Sequence, residues 1–65
     1  MSLATELPTE QARVREVLTH YIEIGPMGQF GALMIEASLK RADHAIMSGD
    51  VIEMMHSYSD LKSVK

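Results

Sequence analysis

The sequence predicts an all-α domain, a hairpin of two longer helices followed by a short third helix. Apolar residues recur at helical spacing in three segments, and no useful stretch alternates between apolar and polar residues as a strand would. Two helix-breaking pairs, Gly25-Pro26 and Ser48-Gly49, separate the three segments. The single predicted domain, 1–65, has its helices at about 9–24, 27–47 and 50–62.

The first helix is expected to begin near Thr9, with residues 1–7 frayed. Thr9 has a side chain that can accept an amide hydrogen bond at a helix start, and Glu10 would sit in the first turn, where the helix dipole favours an acid. Pro8 is equally suited to the first helical position. The predicted apolar face of this helix consists of Val14, Val17, Leu18, Tyr21 and Ile22.

The link between the first two helices is short enough to fold them into a hairpin. Gly25 can adopt the positive φ that ends many helices, and Pro26 prevents the first helix from continuing. The central helix then carries two apolar stripes, which indicates that it is covered on two sides. One stripe is Ile35, Leu39, Ala42 and Ile46, and the other is Phe30, Leu33, Met34 and Ala37, with Met47 lower down.

The third helix begins with a capping sequence. Asp50 precedes Glu53 by three residues, which is an Asp variant of the capping box. Lys62 lies at the opposite end, where the helix dipole favours positive charge. The predicted apolar face is Val51, Met54, Met55, Tyr58 and Leu61.

Three glycines, Gly25, Gly28 and Gly31, recur every third residue around the first break. A phosphate-binding turn is disfavoured, because there is no Gly-Lys-Ser/Thr motif and no Lys or Arg between Glu16 and Lys40. Close approach of another backbone, within the chain or between two copies, is one remaining interpretation. Simple turn chemistry at Gly25 is the other.

The small size of the chain favours self-association. A domain of 65 residues without cysteine lacks both a large core and disulfides, so oligomerisation is the remaining common source of stability. We therefore expect a homodimer or tetramer in which a second chain covers apolar side chains left bare by the monomer. The predicted interface residues are Gly28, Phe30, Gly31, Met34, Ile35, Met54 and Met55.

Charge and hydropathy limit the binding partners and the cellular location that we expect for the protein. Nine acids against six bases argue against non-specific binding to nucleic acid or to an anionic membrane. We see no signal peptide and no apolar run long enough to span a bilayer. The absence of cysteine fits a reducing compartment, so a cytoplasmic protein is expected.

The functional prediction is a small protein interaction module, an adaptor or regulator, that binds itself and another protein. An antitoxin-like or repressor-like regulator is the alternative and would need its bases, Arg13, Arg15, Lys40 and Arg41, on one face. A metal-dependent or interface-sited enzyme is a third hypothesis, since Glu53-x-x-His56 matches a helical metal motif. No catalytic residue, cofactor site or metal site is assigned, because no nucleophile with an adjacent base is evident.

Overall fold

The computed structural model describes residues 2–65 and confirms an all-α protein. The elements are α1 (Leu3–Ile24), a 3₁₀ turn (Gly25–Gly28), α2 (Gln29–Ser48) and α3 (Val51–Lys62), with no strand in residues 2–65. The helical run through α1, the turn and α2 covers 46 residues. A straight helix of that length would measure about 69 Å. The molecule is only 35 Å long, because the chain reverses at the 3₁₀ turn.

α1 begins six residues earlier than the sequence indicated. Residues 3–7 are helical, and Pro8 lies inside the helix. Thr9 is not the cap, because its hydroxyl donates to the Thr5 carbonyl oxygen one turn back at 3.2 Å. The reason for the longer helix is the full burial of Leu7, which gives the first turns an apolar contact. The predicted frayed segment, residues 1–7, also includes Met1, which lies outside the described residues.

The reversal depends on glycine at two points. Gly25 has a φ of 83°, a conformation that costs a side chain energy, and this ends α1. Gly28 packs directly on the carbonyl group of Tyr21, where a β-carbon would overlap the oxygen atom. A β-carbon on Gly31 would approach the Tyr21 ring to 2.5 Å. The close approach that the glycines predicted is therefore found within one chain.

The three helices run up, down and up, and each packs on the other two. α1 and α2 are antiparallel, since Tyr21 near the end of α1 lies against Gly31 near the start of α2, while Gln11 Nε2 donates to Asp43 Oδ1 at 2.7 Å. Arg15 lies 3.8 Å from the same oxygen. α3 returns between them. Arg13 of α1 donates to the Leu61 carbonyl oxygen at 2.8 Å, and Arg41 of α2 pairs with Asp60 at 3.1 Å.

The core lies where all three helices meet. The central stripe of α2 supplies Ile35, Leu39 and Ala42 as predicted, but Ile46 is exposed because it stands at the edge of the cover that α1 and α3 provide. The buried cluster is Leu7, Val14, Ile35, Leu39, Ala42 and Leu61.

α3 is capped by Asp50. Its carboxylate accepts hydrogen bonds from the amides of Ile52, at 3.0 Å, and Glu53, at 3.2 Å. The reciprocal half of a capping box is replaced, because the Asp50 amide donates to the Ser48 hydroxyl. The cap fixes the start of α3, and hence how far along the hairpin this 12-residue helix reaches.

Candidate interaction surface

The hairpin is longer than the helix that covers it. α3 ends at Lys62, at the level where Arg13 and Arg41 reach Leu61 and Asp60. We call the part below this level the base. It comprises α3 with residues 3–13 of α1 and 41–48 of α2. The part above it, the tip, comprises residues 14–40. Val14, Ile35 and Leu39 of the tip share the buried cluster with Leu61 of α3, and beyond them the hairpin has only two helices.

Large apolar side chains are exposed on the tip. Its exposed apolar residues are Ile22, Ile24, Met27, Phe30, Leu33 and Met34. Each is more than half exposed, and Met27 reaches 92%. Together they expose the equivalent of about four whole side chains. A surface of this kind on a small chain normally marks a site of interaction.

Helical spacing assigns part of this surface to the side on which α3 lies. Phe30 and Met34 precede Arg41 by eleven and seven residues, so they share its side of α2. Ile24 follows Arg13 by eleven residues and shares its side of α1. Met27 stands in the turn between them. We call Ile24, Met27, Phe30 and Met34 the front face. It continues the groove that α3 fills in the base.

The predicted interface residues separate into two groups. Phe30, Met34 and Met55 are exposed, with Met55 on α3 and distant along the chain from the tip. The others are used within the monomer: Ile35 is in the core, Met54 packs against it, and Gly28 and Gly31 contact Tyr21. Ile24 and Met27 were not predicted for the surface. In the sequence they were only the last residue of the first predicted helix and the first residue of the second. The spacing of eleven residues between Arg13 and Ile24 could have placed Ile24 on this surface.

A polar groove of about 560 Å³ lies between α2 and α3. It is lined by Lys40, Arg41, His44, Glu53, His56, Ser57 and Asp60. Arg41 is held there by Asp60 and by the Ser38 hydroxyl. In residues 2–65 no three His, Asp or Glu side chains lie close enough to hold a metal ion. Glu53 and His56 therefore share a groove but have no third protein ligand beside them.

Most of the four bases required for a nucleic-acid face are engaged within the chain. Arg13 and Arg41 contact the adjacent residues Leu61 and Asp60 of α3, and Arg15 lies beside Asp43 at the seam between α1 and α2. Arg13 also pairs with Glu10 at 3.1 Å. Three of the four are thus next to a carboxylate of the same chain, and only Lys40 is outside these ion pairs.

Comparison with known proteins adds no family. No protein-family model, curated protein or solved structure matches this chain. Within residues 2–65, no helix has the length and apolar character required to cross a bilayer.

Proposed function

We propose that this protein is a small helical interaction module, an adaptor or regulator, that self-associates through the front face of its tip. The observation that carries the proposal is the exposure of Ile24, Met27, Phe30 and Met34 beyond the end of α3. In the base, the same groove is filled by a helix. A second copy supplies the missing helices at the tip.

The available area fits a small, stable interface. The four front-face side chains expose the equivalent of about three whole side chains. At about 200 Å² for each large side chain, one copy contributes about 600 Å² and a pair about 1,200 Å². That total lies at the lower end of specific interfaces. The association is therefore expected to be reversible on dilution.

The distribution of charge favours a second copy as the occupant. A twofold axis brings a surface against itself, so a charged residue near the axis meets its own like charge. The four front-face side chains are uncharged, and the acids of the tip, Glu16, Glu23 and Glu36, lie outside this set. Two front faces can thus meet with no charged side chain among the paired apolar residues, giving a bundle of four helices at the joined tips.

Stability gives a reason for the association. The buried cluster has only six residues, Leu7, Ala42 and Leu61 in the base and Val14, Ile35 and Leu39 in the tip, and the chain has no disulfide. Burial of about 1,200 Å² between two copies adds apolar contact where the monomer has least.

The absence of cysteine from the sequence is the basis for placing the module in the cytoplasm.

The test compares two Met-to-Glu variants by light scattering across a dilution series. Met34→Glu puts a carboxylate into the front face and is expected to give a monomer at every concentration. Met47→Glu is the matched control, since Met47 is 87% exposed at the end of α2 in the base. Wild type and Met47→Glu should share the same concentration-dependent mass.

Two results would overturn the proposal. Wild-type protein that stays monomeric at the highest concentration would show that the three helices of one chain are stable without a second copy. Equal loss of mass in Met34→Glu and Met47→Glu would show that association does not depend on the front face. Far-UV circular dichroism of both variants verifies that each remains helical.

A further inference from the structure

A shallow slot lies on the other side of the tip, between the end of α1 and the start of α2. It measures about 330 Å³ and is lined by Ile22, Gly25, Pro26, Gln29, Ala32, Leu33 and Glu36. Ile22 and Leu33 provide its exposed apolar side chains, one from each helix, at 58% each. Ile22 precedes Ile24 by two residues and thus points away from the front face. We call this the back slot.

The back slot has one acidic side chain and no base in its lining. Residues 16–39 contain Glu16, Glu23 and Glu36 and no Lys or Arg, and of these three acids Glu36 lines the slot. Elsewhere the structure pairs acids with bases, as in Arg13–Glu10, Arg15–Asp43 and Arg41–Asp60. None of the ion pairs found in residues 2–65 involves the three acids of the tip. Glu36 lines the slot itself, so a carboxylate stands directly beside the apolar side chains.

We propose that the back slot binds an amphipathic helix of another protein that carries Lys or Arg beside its apolar residues. Apolar side chains one turn apart on such a helix fit between Ile22 and Leu33. Its basic residues then lie near Glu36, and the amide of Gln29 is available to polar groups at the rim. Charge complementarity fixes the orientation of the bound helix and speeds its association.

A second copy of this chain has few bases to offer. Its Lys and Arg residues are at positions 13, 15, 40, 41, 62 and 65. Three of them contact carboxylates of their own chain. These ion pairs favour a different protein as the partner at the back slot. This inference goes beyond self-association and does not rest on it, because the back slot is formed within one chain.

The test uses two synthetic helical peptides of equal length as probes, followed by fluorescence anisotropy. One has Leu on one face and Lys on the other, and its counterpart has Glu in place of every Lys. The Leu/Lys peptide is expected to bind the wild-type protein, with affinity that falls as salt is added. The Leu/Glu peptide is expected not to bind.

Matched variants distinguish the back slot from general attraction between opposite charges. Glu36→Lys is expected to weaken binding of the Leu/Lys peptide by about tenfold, the effect of replacing an attraction by a repulsion at the surface. Glu53→Lys, the same change on α3, should have little effect. Ile22→Ser should also weaken binding. Ile52→Ser, at a similarly exposed isoleucine of α3, should not.

Equal weakening by Glu36→Lys and Glu53→Lys would overturn the inference, since binding would then reflect net charge alone. Equal affinity for the Leu/Lys and Leu/Glu peptides would also overturn it. The solution mass of each variant is measured in parallel. A monomeric wild type that still binds the Leu/Lys peptide at Ile22 and Glu36 would reject self-association and leave the back slot intact.

Discussion

The base and the tip are built from the same two helices but differ in what covers them. In the base, α3 packs on both, and Leu7, Ala42, Ala45 and Leu61 have no exposed surface. In the tip, the groove between α1 and α2 is open, and Phe30 remains 75% exposed. The difference comes from length, since α3 has 12 residues against 22 for α1 and 20 for α2.

This contrast shows that the short third helix decides which part of the hairpin groove is filled. α2 has apolar side chains along its whole length, and those that face α1 or α3 are buried, Ala32 and Ile35 of the tip among them. The side chains that face the open groove of the tip stay exposed and are available for binding. Substitutions of buried residues should consequently affect stability, and substitutions on the front face should affect association.

The largest effect on stability is expected from Leu61→Ala, which leaves a cavity where α3 meets the hairpin. The expected loss in the free energy of unfolding is about 3 kcal/mol. Leu33→Ala, the same substitution at an exposed leucine of the tip, should change the monomer by less than about 0.5 kcal/mol. Urea unfolding at one fixed low protein concentration measures both. Similar losses at the two positions would contradict the division into base and tip.

An intermediate effect is expected from Gly28→Ala, because the new β-carbon would overlap the carbonyl group of Tyr21. The β-carbon is fixed to the backbone of residue 28 and would overlap the backbone of Tyr21, so the end of α1 has to shift. By analogy with overpacked cores, the expected loss in the free energy of unfolding is about 2 kcal/mol. Gly31→Ala meets the Tyr21 ring instead, and a side chain can move more easily. Its thermal midpoint should lie between those of Gly28→Ala and wild type. The reverse order would show that the Tyr21 ring is the more rigid neighbour.

The smallest effect is expected from Asp50→Ala, which removes the cap of α3. Loss of the hydrogen bonds to the Ile52 and Glu53 amides should destabilise the protein by about 1 kcal/mol. Asp50→Asn keeps a side-chain acceptor and should lose much less. Thermal unfolding monitored at the helix band compares the two. An equal loss in both would mean that the charge of Asp50, rather than its hydrogen bonds, supports α3.

The sequence was sufficient for the all-α class and for the two breaks, because Gly25-Pro26 and Ser48-Gly49 interrupt a clear helical period. It was insufficient for the start of α1. Pro8 is acceptable both at the first helical position and, as found, further inside, and the burial of Leu7 depends on contacts across the bundle.

The candidate surface was predictable in part for a similar reason. Two apolar stripes on α2 could be identified from spacing, and Phe30 and Met34, which were assigned to the interface, are exposed in the monomer. Ile35 was assigned to the interface but is buried, because the side on which α3 packs decides which stripe faces inward. Gly28 and Gly31 suit close packing within or between chains, and only the position of Tyr21 decides between them.

The shortness of α3 also has a consequence for amide hydrogen exchange. Amides of α2 around Leu39 and Ala42 lie under a third helix, so their hydrogen bonds open only when the bundle separates. Amides around Leu33 and Met34 belong to the same helix but lie beside solvent. They can exchange through local openings that leave α3 docked. One continuous helix thus contains a slowly and a rapidly exchanging half, and a partner bound at the tip would remove the difference.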